Sequence, residues 1–135
     1  MKAITMRSDC PISCTLDILG DKWSLLIMRD LLFFEINSFG EFLLSDEKIA
    51  RTILSDRLEE LVENGFIVKE VSPVNKSKFL YYPTQKGVDL VPLLLQLADW
   101  SEKHQSSVVN PKIAVAAFKN SRGKAMQQLR KRTRN

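Results

Sequence analysis

Residues 49–86 constrain the fold of this chain more strongly than any other segment, because they combine one amphipathic helix with a two-stranded hairpin. Apolar residues recur there every three or four positions, as on one face of a helix: Ile49, Ile53, Leu54, Leu58, Leu61 and Val62. Asn64 and Gly65 predict the end of this helix, since Gly readily adopts the left-handed conformation that terminates one. Residues 66–71 are mostly β-branched or apolar, which is typical of a strand.

The second half of this segment predicts the rest of the hairpin. Residues 72–77 are rich in turn-forming residues, and residues 78–82 form the returning strand, which we expect to stop at Pro83. A helix that is buried on one face and followed by a hairpin with a basic tip is the arrangement of a winged helix-turn-helix. In that arrangement the helix enters a major groove of DNA, and the hairpin, or wing, reaches the flanking backbone. We therefore predict a mainly α fold with a small β-hairpin wing.

The residues before this segment predict three further helices. Pro11 permits the start of the first one. Asp21 can cap the second by accepting backbone N–H bonds, and this helix is apolar nearly all round, so we expect it to be central and buried. Ser38 is expected to cap a short helix over residues 39–44. This short helix, the turn at residues 45–48 and the amphipathic helix form the helix-turn-helix pair.

A long apolar helix is predicted after the hairpin. Thr84 can cap it, and it should run to about His104, with a kink or a start near Val91 because Pro92 lies inside it. The helix is more apolar than one small domain requires. Its surplus apolar surface predicts a subunit interface, and we therefore expect a homodimer.

Charge is distributed unevenly along the chain. Of the 20 Lys and Arg residues, eight lie between Lys112 and the C-terminus, where there is no Asp or Glu. The first 111 residues therefore carry 12 basic (20 less eight) and 16 acidic groups, a net charge of −4. Any claim of DNA binding must then rest on the local arrangement of residues. We divide the chain into an arm (residues 1–9), a winged domain with dimerisation helices (10–104) and a basic extension (105–135) that we expect to be helical and then disordered.

Composition and motifs exclude several classes of protein. Apolar residues make up 44% of the 135 residues, which is enough for a core, and neither a secretory signal nor an apolar span of about 18 residues occurs. We expect a cytoplasmic protein without a membrane partner, in which Cys10 and Cys14 are free thiols. These cysteines and the single His104 do not make a metal-ligand set. With one His and neither a GxGxxG motif nor a P-loop, the chain is expected to be no enzyme and to hold no cofactor.

Several short motifs occur in a characteristic order: Cys10-Pro11, residues 16–23 (LDILGDKW), residues 54–58 (LSDRL), residues 63–65 (ENG), residues 82–87 (YPTQKG) and Trp100. Together they resemble the HxlR-type regulators, bacterial winged-helix transcription factors related to the MarR group, over roughly residues 8–104. The resemblance implies homodimers that bind operator DNA as repressors or activators. In some members the cysteine that matches Cys10 is a thiol switch for oxidants, quinones or aldehydes. Glu47-Lys48 and Ala50 replace the usual Pro-Gly and Ser ahead of the amphipathic helix.

The candidate DNA-binding residues come from three places: Arg51, Thr52, Ser55, Asp56 and Arg57 on the first turns of the amphipathic helix, Asn75, Lys76 and Lys78 at the wing tip, and Lys22 at the start of the second helix. Arg can bond O6 and N7 of guanine, Thr or Ser can bond either bases or phosphates, and the wing tip can lie along a phosphate or in a minor groove. Arg57 can instead pair with a neighbouring carboxylate. The simpler interpretation is a solvated helix face and a solubilising hairpin tip. The alternative function is a winged-helix module that binds another protein through the same surface.

Cys10 is the candidate redox-sensing residue. It precedes Pro11 at a helix N-terminus, where the helix dipole favours a thiolate, the reactive form. The alternative is a small packed residue without a sensing role. Cys14 lies one helical turn away, which is poor geometry for a disulfide within one helix, so a bond between subunits is easier to form. If Cys10 is the sensing residue, we expect the effector to be an oxidant or a small molecule.

Overall fold

The computed structural model describes residues 5–105. The predicted helix in the C-terminal extension and most of that extension therefore lie outside the described residues. The elements in chain order are α1 (Pro11–Leu19), α2 (Ser24–Phe33), α3 (Phe39–Phe42), α4 (Arg51–Glu63), β1 (Ile67–Val71), β2 (Phe79–Pro83), α5 (Gln85–Val88) and α6 (Val91–His104). The mainly α fold with a β-hairpin wing is confirmed.

Helix α2 lies at the centre of the core, as its all-round apolar sequence predicts. Met28, Leu31 and Leu32 are completely buried in it. The other elements turn their apolar residues towards the same core, which includes Leu54, Leu58 and Leu61 from α4, Phe66, Ile67 and Tyr81 from the hairpin region, and Val91 and Leu94 from α6. The predicted cap at Asp21 is also present, since its carboxylate accepts hydrogen bonds from the backbone N–H groups of Trp23 and Ser24 at 2.8 Å each.

Helix α4 begins later than the apolar spacing predicts. Ile49 is buried, but it lies in the segment before the helix, because Lys48 has a φ of +57° and Ala50 is extended. The first turn is thus displaced by two residues from the start of the apolar pattern, and the helix begins at Arg51. Its end is as predicted, with Gly65 at a φ of +79° in the left-handed region.

The hairpin is an antiparallel pair that runs from Ile67 opposite Pro83 to Val71 opposite Phe79. The returning strand ends at Pro83, as predicted, but it covers Phe79–Pro83 and so includes the proline as its last residue. A proline fits there because both strands of a two-stranded sheet are edge strands, in which a missing N–H donor is tolerated. On its other side, β2 is tied to the residues before α3 by a bond from the Tyr81 N–H to the Asn37 carbonyl at 2.9 Å.

The apolar segment after the hairpin forms two helices in place of the one predicted. Thr84 caps only α5, where its side chain accepts a hydrogen bond from the N–H of Gly87 at 3.2 Å. Gly87 is buried, and a Cβ atom at this position would lie 2.2 Å from the carbonyl oxygen of Phe66. Helix α6 then begins at Val91 with Pro92 in its first turn, which was the predicted alternative to a kink. No helix within residues 5–105 has the length and apolar character needed to cross a membrane.

Candidate nucleic-acid interface

The exposed face of α4 carries four of the candidate residues. Arg51, Thr52, Ser55 and Asp56 are all exposed, while Leu54 between them is fully buried. The core therefore fixes which side of α4 faces solvent. The sequence did not indicate a contact from α3, where the ring of Phe39 lies under the Arg51 guanidinium at 5.8 Å from its centroid. This cation–π contact restricts where the Arg51 side chain can point.

Arg57 uses its guanidinium within the protein. Its Nη1 atom lies 2.9 Å from Glu60 Oε2 and 3.6 Å from Asp21 Oδ2, and its side chain is only partly exposed. Arg57 was considered both as a DNA contact and as the partner of a neighbouring carboxylate, and the structure shows the carboxylate pair. The pair with Asp21 joins the middle of α4 to the segment that leads into α2, next to Lys22. The Lys22 ammonium is exposed and lies 5.1 Å from the ring centroid of Trp23.

The wing tip is held by its own side chains. The buried hydroxyl of Ser72 accepts hydrogen bonds from the backbone N–H groups of Val74 and Asn75 at 3.3 and 3.2 Å. Asn75 accepts bonds through its carboxamide oxygen from the N–H and the hydroxyl of Ser77. Asn75 thus shapes the turn, whereas the exposed Lys76 and Lys78 form no ion pair with any residue between 5 and 105.

A groove of about 700 Å³ separates α4 from the wing. It brings Ser55 of α4 together with Asn75 and Lys78 of the wing, while Arg51, Thr52, Asp56, Lys76 and Lys22 lie outside its lining. Glu59 and Glu63 line its other end. Carboxylates repel the phosphates of DNA, so this surface is suited to contact a duplex through the first turns of α4 and the wing lysines, and not through the second half of the helix.

The two cysteines differ in exposure. Cys10 is exposed and is the N-cap residue of α1, without a capping bond from its side chain. Cys14 is partly buried, and its thiol donates a hydrogen bond to the Ser8 carbonyl at 3.3 Å. Both cysteines are free thiols.

Comparison with known proteins identifies the family. Residues 18–108 match the model of the HxlR-like helix-turn-helix family. The HTH-type transcriptional regulator YdeP of Bacillus subtilis is 34% identical over 99 residues, which cover 73% of this chain and 77% of YdeP. The crystal structure of PA1607 is 38% identical with a TM-score of 0.67, over 78% of this chain and 70% of that one. The redox regulator HypR in its oxidized form is 30% identical with a TM-score of 0.61, over 70% of this chain and 97% of that one.

The family match extends through the helix-turn-helix, the wing and α6, the elements that build the surface described above. It covers about two thirds of the chain and ends at residue 108, within the first residues of the basic extension. The chain therefore belongs to the HxlR-like helix-turn-helix family of transcriptional regulators.

Proposed function

We propose that this protein is a cytoplasmic, homodimeric regulator that binds an inverted-repeat operator in double-stranded DNA. The observation that supports this most directly is the exposed first half of α4 beside a wing whose lysines are exposed and form no ion pair among the described residues. In the proposed complex the first turns of α4 enter a major groove, where Arg51 reads a base. Lys76 and Lys78 lie along the flanking phosphates.

The second subunit is proposed to pack against α6. Leu93, Leu97 and Trp100 are 37%, 47% and 58% exposed, and their spacing of four and three residues places them in one stripe. A twofold axis through such a stripe pairs identical surfaces and sets the two α4 helices about one helical turn of DNA apart, ~34–36 Å. A palindromic operator matches this symmetry.

A gel-shift assay with the DNA upstream of the protein's own gene separates this function from the alternative of a protein-binding module. We expect a complex that resists a large excess of unrelated duplex and a footprint with two symmetric halves. If upstream and unrelated DNA compete equally, the protein is not a sequence-specific regulator of its own gene. A genome-wide selection of bound fragments by the same protein would then show whether any operator exists.

Substitution of Arg51 and Lys76 should have different effects on DNA binding. Arg51→Ala should weaken operator binding by about 1–3 kcal/mol and relax the preference at one base position, since a base contact carries sequence information. Lys76→Ala should weaken binding to all DNA sequences equally. It should also reduce the slope of log K against log salt by about 0.9, the effect of one phosphate contact. Binding measured by fluorescence anisotropy at several salt concentrations gives both quantities.

Matched controls test whether these effects belong to the site. Arg51→Lys keeps the charge but cannot make the paired contacts of a guanidinium to guanine, so it should also lose the base preference. Lys103→Ala removes a charge from the exposed end of α6 and should leave the operator preference intact. If Arg51→Ala and Lys76→Ala both retain the parent's affinity and salt slope, the proposed docking is wrong.

We also propose that Cys10 makes DNA binding responsive to oxidants. Its thiol is exposed at the start of α1, and the similar HypR is named as a redox regulator. In the proposed step, two Cys10 thiols from the two subunits lose two electrons and two protons to an oxidant such as diamide and form one disulfide. The new bond changes the spacing of the two α4 helices, which must stay in register with successive grooves.

The test is operator affinity before and after mild diamide treatment. The parent and Cys14→Ser should respond alike, with a change in affinity and a dimer that is covalent on non-reducing gels. Cys10→Ser should keep its original affinity and remain separable into monomers by detergent. An equal response of the parent and Cys10→Ser would remove Cys10 from the mechanism.

A further inference from the structure

The start of α4 lacks the local features that normally define a helix N-terminus. Its N-cap residue is Ala50, which has no side-chain oxygen to accept a bond from the first free N–H groups. Two residues earlier, Lys48 has a φ of +57°, a conformation that Gly adopts without cost and Lys does not. The position of α4 therefore has to be maintained by contacts from elsewhere in the fold.

A charged cluster next to this turn provides such contacts. Both carboxylate oxygens of Glu47 accept hydrogen bonds from Arg29 of α2, with Nη1 at 2.8 Å and Nη2 at 2.9 Å. The same guanidinium donates from Nε and Nη2 to Asp30 Oδ1 at 2.9 and 2.7 Å. Glu47 and Arg29 are 18 residues apart in sequence, so this interaction connects the turn to the central helix.

The cluster is anchored on its α2 side. The side chains of Asp30 and Arg29 are 5% and 19% exposed, and that of Glu47 is 34% exposed. Burial raises the pKa of Asp30, whereas the hydrogen bonds from Arg29 lower the pKa of Glu47. Paired donors on a planar guanidinium also fix the direction of the bound carboxylate, which a single Lys contact would not do.

We propose that Glu47 and Arg29 form a clamp that takes the place of a helix cap and holds the first turn of α4 against α2. Glu47 is then a positioning residue for DNA recognition, because it fixes the backbone that presents Arg51 and Thr52, without touching DNA itself. The effect on DNA recognition rests on the proposed function, whereas the effect on the first turn of α4 does not.

Glu47→Gln tests the clamp because it keeps the size of the side chain and removes the paired charged contact. Asp46→Asn is the matched control, since it makes the same charge change at the adjacent exposed residue of the same turn. Both substitutions remove one negative charge close to the proposed DNA surface, so their general electrostatic effects on DNA binding should be alike. Any difference between the two variants in amide exchange or DNA binding therefore comes from loss of the contact with Arg29.

Hydrogen exchange of individual amides gives the first measurement. The amides of Leu54 and Ser55 close the first turn of α4, with Leu54 N–H bonded to the Ala50 carbonyl at 2.9 Å. We expect both to exchange at least several-fold faster in Glu47→Gln than in Asp46→Asn, while the Tyr81 amide in the hairpin is unchanged. Adding Ala50→Ser to Glu47→Gln should restore slow exchange, because serine supplies the missing cap.

Operator preference gives the second measurement. The ratio of operator affinity to unrelated-DNA affinity should fall about tenfold in Glu47→Gln relative to Asp46→Asn, the equivalent of about one base contact, and Ala50→Ser should recover it. The clamp is refuted if the amides of Leu54 and Ser55 exchange at the same rate in Glu47→Gln and in Asp46→Asn. It is also refuted if adding Ala50→Ser to Glu47→Gln does not slow their exchange. A parent protein with no operator preference would instead contradict the proposed function, and the exchange measurement would still decide on the clamp.

Discussion

Replacing Leu97 by Glu is expected to convert the proposed homodimer into monomers and to remove operator binding at concentrations that saturate the parent. Leu97 lies in the middle of the exposed stripe on α6, between Leu93 and Trp100. An unpaired carboxylate in a buried interface is strongly unfavourable, because the charge loses its hydration without gaining a partner. A monomer holds one half-site only, and the loss of the linked second contact reduces affinity by about 10²–10⁴-fold.

Sedimentation velocity at micromolar concentration measures the first effect, and the operator gel shift measures the second. Gln105→Glu is the matched control, because it introduces the same charge at the exposed C-cap of α6, away from the stripe. It should remain a dimer. A Leu97→Glu protein that stays dimeric would place the interface elsewhere, and the exposed Ile12 and Leu16 of α1 would be the next surface to substitute.

Truncation after Asn110 is expected to cause the second large change, a loss of non-specific DNA affinity. It removes eight Lys and Arg residues and leaves a chain whose formal net charge is −4. We propose that these residues bind phosphates through counterion release, each contact adding about 0.9 to the slope of log K against log salt. If four of them engage, the slope should become shallower by about 3.6. A salt titration of binding to an unrelated duplex measures it.

The alternative for this extension is that its apolar residues pack on the dimer: Ile113, Val115, Ala116, Ala117, Phe118, Met126 and Leu129. A full-length variant with the eight basic residues changed to Gln distinguishes the two roles, since it keeps these apolar side chains. If charge is the function, this variant and the truncated chain should lose the same salt dependence and stay dimeric. If packing is the function, only the truncated chain should lose solubility or dimerisation.

Much of the fold could be predicted from the sequence because the signals are local. The apolar spacing of Leu54, Leu58 and Leu61 predicts the buried face of α4, and Gly65 predicts its end. The caps at Asp21, Ser38 and Thr84 each involve donors two or three residues further along the chain. A hydrogen bond between a side chain and a backbone N–H two or three residues away needs only the conformation of one turn. Asp, Ser and Thr themselves favour that conformation, so the sequence is enough to predict it.

Only the tertiary structure decided the features that join distant parts of the chain. Pro83 belongs to β2 because it lies opposite Ile67, and folding brings Asp21 within 3.6 Å of Arg57 as a second carboxylate beside the local partner Glu60. The displaced start of α4 has the same origin, since the Glu47 contact that accompanies it comes from Arg29 on another helix. The sequence shows which charges are available, but their partners depend on how α2, α4 and the wing pack. The helix-plus-hairpin pattern indicated the candidate surface, and the packing determined which of its residues are exposed.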